Sequence, residues 1–185
     1  MTGVLVAVVG PSGAGKDTLL NAARAALAGD PGFRFLRRVI TRPAEAGGED
    51  HLAASRPAFR ATAASGGFAV WWDAHGLLYG IPRDALETAL DAGAAAVANL
   101  SRHALPDAAS RYPLRVVNVT APLHARAARL AARGRETTAE VAARLSRDAA
   151  LPPGLTVEGV ANDATVEEGV ARMLRALRAV AGTAA

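Results

Sequence analysis

The chain of 185 residues contains no cysteine. That excludes a disulfide framework and a thiolate metal site, and it suits a reducing compartment. Aromatic side chains are scarce, with four phenylalanines, two tyrosines and two tryptophans. A base-stacking platform for single-stranded nucleic acid needs more. No apolar stretch is long and charge-free enough to span a bilayer. The N-terminus enters an apolar strand pattern with no basic leader before it. From these absences we expect a soluble, cytoplasmic protein with neither a membrane nor a nucleic-acid partner.

Lysine is nearly absent as well. Lys16 is the only one among 21 lysine and arginine residues. An alanine-rich chain that has drifted toward arginine keeps lysine where a compact ammonium on a flexible stem is required. The net charge of +4 comes from scattered arginines rather than a single stripe. Such arginines suit an enzyme handling polyanionic phosphates. About half the residues are hydrophobic and 21% are charged, enough to bury one core in one domain over residues 1–185.

Val4–Val9 is a continuous aliphatic run that reads as a buried parallel strand. A glycine-rich segment follows, then a helix over Lys16–Ala28. Phe33–Thr41 reads as a second strand. Ser55 caps a short helix to about Ala64, and Phe68–Trp72 and Leu77–Tyr79 read as short strands around a turn at Ala74–Gly76. Helices and strands then alternate: a helix from Pro82 to Asp91, a strand Ala94–Ala98, a helix Ser101–Ser110 and a strand Leu114–Thr120. A helix follows from Pro122 to about Arg133, another over Thr137–Ala149, and a strand over Leu155–Ala161. The last helix opens with the capping pair Thr165 and Glu168. This alternation predicts an α/β fold with a parallel sheet flanked by helices.

Gly10-Pro11-Ser12-Gly13-Ala14-Gly15-Lys16 matches G-x-x-x-x-G-K between a strand and a helix, the context this phosphate-binding motif requires. Its backbone N–H groups and the helix N-terminus are expected to cradle the phosphates of ATP, with Lys16 reaching the β- and γ-phosphates. The residue after the lysine is normally serine or threonine; here it is Asp17, followed by Thr18. Both carry hard oxygens suited to Mg²⁺, so the metal ligand is expected to be Asp17 or Thr18.

From Gly10 to Tyr79 the order of motifs resembles the guanylate kinase superfamily. The matching strings are the phosphate loop, Thr41-Arg42-Pro43, Gly48-Glu49 and Tyr79-Gly80, followed by an arginine-rich lid around Arg133–Arg135 and an Asn162-Asp163 pair. The resemblance implies a P-loop NTPase fold with an acceptor-binding insertion over about 42–80 and an arginine lid over about 133–147. It departs where guanine would be read. Val70 stands at the position of a glutamate, Glu45 at that of an arginine, His51 at that of a tyrosine, Ile81 at that of a serine and Asn99 at that of an aspartate. A site that has lost its base-edge acceptor loses its selectivity. The strings Gly15-Lys16-Asp17, Arg37–Pro43, Gly47–His51 and His75–Pro82 are similar to the ribose 1,5-bisphosphate phosphokinase family of phosphonate degradation. That resemblance implies ATP as phosphoryl donor, a small phosphorylated sugar as acceptor and 5-phosphoribosyl 1-diphosphate (PRPP) as product.

Phosphoryl transfer needs positioning and charge neutralisation. Arg42 is the first choice for acceptor phosphate. Arg37 and Arg38 are adjacent on a strand and must point to opposite faces, and Arg38 shares parity with Arg42. Tyr79 is expected to donate to phosphate, and Glu49 and His51 to meet sugar hydroxyls or to lie in a solvated loop. Asn99 ends the central strand beside the acceptor, where a dianionic phosphate needs no general base. His75 is an acceptor-site donor or a turn residue. Arg133 and Arg135 flank Gly134, a hinge for a lid that closes over the phosphates, and are the expected catalytic partners of Lys16. Asn162 either edges the adenine pocket or caps the last helix. A nucleoside monophosphate kinase with altered base choice, a catalytically silent binding module and a nucleotide-dependent switch are the alternatives.

Overall fold

The computed structural model describes residues 2–44, 49–132 and 150–182. The predicted lid, with Arg133 and Arg135, and residue Glu45 with its neighbours up to Gly48 lie outside them.

Five strands form a parallel sheet: β1 Val4–Val9, β2 Phe33–Phe35, β7 Ala95–Asn99, β8 Leu114–Thr120 and β9 Val157–Ala161, in the order β2-β7-β1-β8-β9. All six residues of β1 are buried. Side chains alternate across a strand, so Leu5, Ala7 and Val9 enter the core on one face and Val4, Val6 and Val8 the core on the other. Helices α3 Arg83–Asp91 and α4 Leu105–Arg111 supply Leu86, Leu90 and Leu105 to the first face. Helix α1 Lys16–Ala26 and the C-terminal helix α6 Val166–Gly182 supply Leu19, Leu20, Met173 and Leu177 to the second. Alanine is a poor strand former, yet Ala95–Ala98 hold a strand because β2 and β1 pair with it on both sides.

The second sheet has four strands in the order β4-β3-β6-β5: β3 Val39–Ile40, β4 Leu52–Ala53, β5 Phe68–Ala74 and β6 Leu77–Pro82. Helix α2 Arg56–Ala64 is capped by Ser55, whose hydroxyl accepts from Ala58 N at 3.3 Å. It buries Phe59 against Phe68, ring centroids 4.4 Å apart.

The stretch Phe33–Thr41 is not one strand. Its first three residues pair with β7 in the parallel sheet, and Val39–Ile40 pair with β4 and β6 in the other. Arg37 and Arg38 lie at the break. Two guanidinium groups cannot enter the double-sided apolar core, so the chain leaves the first sheet before them. The expected strand Leu155–Ala161 begins at Val157, and the expected helix from Ser101 opens as a single 3₁₀ turn, Arg102–Ala104. No helix among the described residues is long and apolar enough to cross a membrane.

Candidate active site

The parallel strands end at one edge, where α/β proteins bind ligands. There β1 passes into the phosphate loop. Gly10 has φ +152°, and a Cβ on it would meet Val119 O at 2.2 Å, so only glycine lets the loop pass this close to β8. Gly15, at φ +86°, turns the chain into α1. Helix α5, Leu123–Ala132, braces the loop from behind. Arg126 Nε donates to Ser12 O at 3.0 Å, and Arg129 Nη1 donates to Gly13 O and Ala14 O, both at 3.4 Å. Asn162 Nδ2 donates to Ala14 O at 2.8 Å, and Arg129 Nη2 to Asn162 O at 3.2 Å. Tying these carbonyls outward leaves the loop's other face free to present N–H groups to an anion.

The loop opens on a cavity of about 690 Å³ between the two sheets, a size typical of small-molecule sites. Gly10, Pro11, Ser12, Gly13, Gly15, Lys16, Asp17 and Thr18 line its donor side. Arg38, Arg42, Glu49, Tyr79 and Asn99 line the opposite side, together with Trp72 and His75. Three expected site residues do not line it. Ala14 is fully buried in the core beneath α1. Asn162 is buried and holds the back of the phosphate loop, and Thr165 caps the last helix by accepting from Glu168 N at 3.3 Å. For His51 the sequence suggests a site contact or a solvated loop. Instead it is 4% exposed. Its Nδ1 lies 3.0 Å from Glu49 O and its Nε2 3.1 Å from Arg42 O, so it pins the loop from Arg42 to Glu49 from within.

Lys16 Nζ lies 2.7 Å from Gly10 O and 3.4 Å from Pro11 O. Burial lowers its pKa to about 8; Asp17 opposes that shift, and Arg38 and Arg102 add to it. Asn99 Nδ2 donates both to Asp17 Oδ1, at 3.0 Å, and to Glu49 Oε2, at 3.1 Å. Glu49 in turn holds Arg38 through two contacts, Nε to Oε1 at 2.6 Å and Nη2 to Oε2. Arg38 lies 5.0 Å from the Tyr79 ring centroid and 5.7 Å from that of Trp72, and the two rings stack 5.6 Å apart. Arg37 points the other way and pairs with Asp50 at 2.8 Å. Arg42 Nε is buried with no hydrogen-bond partner among the described residues, as a group awaiting an anion would be.

Among the described residues no group of three or more metal-ligating side chains forms. Mg²⁺ is commonly held by one or two carboxylates, waters and substrate phosphates. Asp17 and Glu49, both within hydrogen-bond reach of one amide, are the right hard donors for that arrangement. Thr18 is exposed at the start of α1. Val70 is buried in the core and does not line the cavity, and Trp71 faces out, 50% exposed, edge-on to Phe59.

Arg102, His103, Arg126 and Arg129 escaped the sequence reading. The spacing of three between Arg126 and Arg129 puts both on one helix face, a signal that was available. Nothing local marks Arg102. His75 is a turn residue, at φ 55° beside Gly76 at φ 71° in the two-residue hairpin turn, and it also lines the cavity.

No protein-family model matches the chain. Among solved structures it resembles guanylate kinase from Anaplasma phagocytophilum, with TM-score 0.65 at 20% identity over 96% of this chain and 86% of that one. It also resembles a sugar kinase from Janibacter, with TM-score 0.53 at 17% identity over 99% of both chains. These likenesses establish the fold, an α/β P-loop NTPase fold of the guanylate kinase type. Sequence relatives are closer. Ribose 1,5-bisphosphate phosphokinase PhnN from Rhizobium etli is 49% identical over 95% of this chain and 89% of its own length. The Agrobacterium fabrum protein of the same name is 44% identical over 97% of this chain and 98% of its own. A bifunctional ribose 1,5-bisphosphokinase–thymidine phosphorylase from Cupriavidus necator is 47% identical over the whole chain, which spans 30% of that protein. Identity at this level, sustained over nearly the whole of both chains, has one reading: the chain belongs to the ribose 1,5-bisphosphate phosphokinase family.

Proposed function

We propose that this chain transfers the γ-phosphoryl group of ATP to the 1-phosphate of ribose 1,5-bisphosphate, giving 5-phosphoribosyl 1-diphosphate and ADP. The observation that carries this reading is the 49% identity to a ribose 1,5-bisphosphate phosphokinase across nearly the whole chain. The cavity agrees with it: arginines line the acceptor side, and the residue at the guanine-reading position, Val70, is sealed in the core.

In this reading the phosphate loop holds the triphosphate, and Lys16 turns from its carbonyls to the β- and γ-phosphates. Asp17 or Thr18 would hold a magnesium ion, which would supply charge neutralisation to the phosphates. Arg42 and Tyr79 take acceptor phosphate, and Arg38 and Glu49 frame the sugar. Arg133 and Arg135, outside the described residues, are assigned to the charge of the transferring group. An oxygen of the 1-phosphate forms the new bond to the γ-phosphorus as the bond to the bridging oxygen of ADP breaks. The acceptor phosphate has a second pKa of about 6 and is already dianionic, so no base is required. Asn99, a neutral amide, fits that demand.

A coupled ADP-release assay offering ribose 1,5-bisphosphate, GMP, AMP and ribose 5-phosphate in parallel tests the assignment. Ribose 1,5-bisphosphate is expected to give the highest kcat/KM; preference for GMP would overturn it. The pH profile supplies a second prediction. Phosphate binding needs Lys16 charged, and in the free protein its pKa is about 8. Since kcat/KM reports the free enzyme, its value for ATP should fall as pH rises through about 8. A bound phosphate favours the ammonium, so the alkaline limb of kcat should lie higher. A kcat/KM profile flat to pH 10 would contradict this.

A further inference from the structure

Arg102 sits where the proposed transfer takes place, and none of the roles assigned above uses it. After β7 ends at Asn99, Leu100 N still donates to Val8 O at 3.1 Å, so the chain keeps running beside β1. It then turns at Ser101, whose hydroxyl accepts from His103 N at 3.4 Å. The turn throws Arg102 across the carboxyl end of β1. Its Nη2 donates to Asn118 Oδ1 at 3.1 Å, and Asn118 on β8 is the register partner of Val9. The guanidinium thus bridges the strands on either side of β1, over the point where β1 becomes the phosphate loop. Lys16 Nζ rests on Gly10 O at that same point. Arg102 lines the cavity shared by Lys16 and Arg42 and is half-buried.

Two cations converging on one strand end repel each other in the free protein, and the charge of Arg102 contributes to the lowered pKa of Lys16. A polyanion between them reverses the sign of that energy. Arg38 is tied to the acceptor side of the cavity, where its fork embraces Glu49. Arginine rather than lysine suits the position, since a planar fork binds two phosphate oxygens while Asn118 orients it from outside.

We propose that Arg102 is a catalytic residue that grips the phosphate at the point of transfer from the side opposite Lys16, while Arg42 holds the acceptor's remote phosphate. This rests on the sugar-bisphosphate reading. The bonds made and broken are those already stated. Arg102 adds no proton transfer; it stabilises the charge spread over the oxygens of the moving phosphoryl group.

The test compares Arg102→Ala, Arg102→Lys and Asn118→Ala with the wild type, using steady-state kinetics with ATP and ribose 1,5-bisphosphate and calorimetric titration of ATP with Mg²⁺. Arg102→Ala is expected to lower kcat by about 10²–10³-fold, the scale of removing one transition-state donor. Its ATP affinity should stay within about threefold of wild type. Arg102→Lys should recover only a small part, and guanidinium added to Arg102→Ala should raise its rate several-fold. Asn118→Ala should lose less than tenfold. If kcat of Arg102→Ala is within threefold of wild type, or if Asn118→Ala loses as much and guanidinium rescues nothing, Arg102 only props the strand ends and the proposal is wrong. Failure of the substrate reading looks different: the wild type prefers another acceptor, and Arg102→Ala still loses kcat on that one.

Discussion

Lys16→Ala is expected to lower turnover by at least about 10²–10³-fold, the cost of losing one preorganised charge at a developing transition state, while the protein stays folded. The ammonium lies on its own loop, bonded to Gly10 O and Pro11 O, and packs no core. Its energetic sign also favours a folded variant. The folded-state pKa is about 8 against an ordinary value of 10.5, because burial disfavours the charged form. Between those values the unfolded chain binds more protons than the folded one, so the contribution of Lys16 to stability rises with pH across that window. At neutral pH the charged lysine opposes folding, and its removal should leave the melting temperature unchanged or higher. Activity and stability therefore move in opposite directions as pH increases through about 8. Thermal melts at pH 7 and pH 10 on wild type and variant, beside the turnover assay, check both halves. Near-wild-type turnover in Lys16→Ala would remove the basis for the phosphate-binding site.

Asn99→Asp should cost about 10- to 100-fold in kcat/KM for ATP, the value of hydrogen bonds to charged groups at roughly 1.5–3 kcal/mol. One amide nitrogen donates to Asp17 on the donor side and to Glu49 on the acceptor side. A carboxylate there would replace a shared donor with a third negative charge. The physical account of two departures from the guanylate kinase pattern is thus a single one. With a carboxylate following Lys16 instead of a hydroxyl, the end of β7 must donate rather than accept. The double variant Asp17→Asn, Asn99→Asp restores a donor–acceptor pair across that contact with the charge moved, and should regain most of the thermal stability that Asn99→Asp loses, whatever the loss of the Asp17 carboxylate does to turnover. The coupling between contacting residues is what a double-mutant cycle measures. Additive losses in the cycle, or a fully active Asn99→Asp, would show that the bridge is incidental.

The acceptor side depends on the same bridge. Glu49 orients Arg38 over the stacked rings of Tyr79 and Trp72, and His51 pins the backbone that carries Glu49. His51 therefore helps to build the pocket from within the loop. The side chain reads as a contact residue in one dimension because Glu49, two positions before it, lines the cavity. Its burial follows from the loop curling back on itself, which no local pattern encodes.

Within short range the sequence determined a great deal. Glycine spacing before Lys16, the six-residue aliphatic β1, the Ser55 cap and the Thr165–Glu168 capping pair all follow from interactions over a few residues, and the structure places each where the sequence puts it. The tertiary structure alone decided which distant side chains meet: Asn99 with Asp17, 82 positions apart, Arg126 with Ser12, 114 apart, and Arg102 with Asn118 across β1. Propensity and motif act through the local backbone. Partners at such distances are chosen by the strand order β2-β7-β1-β8-β9, which arises from burying both faces of one sheet at once.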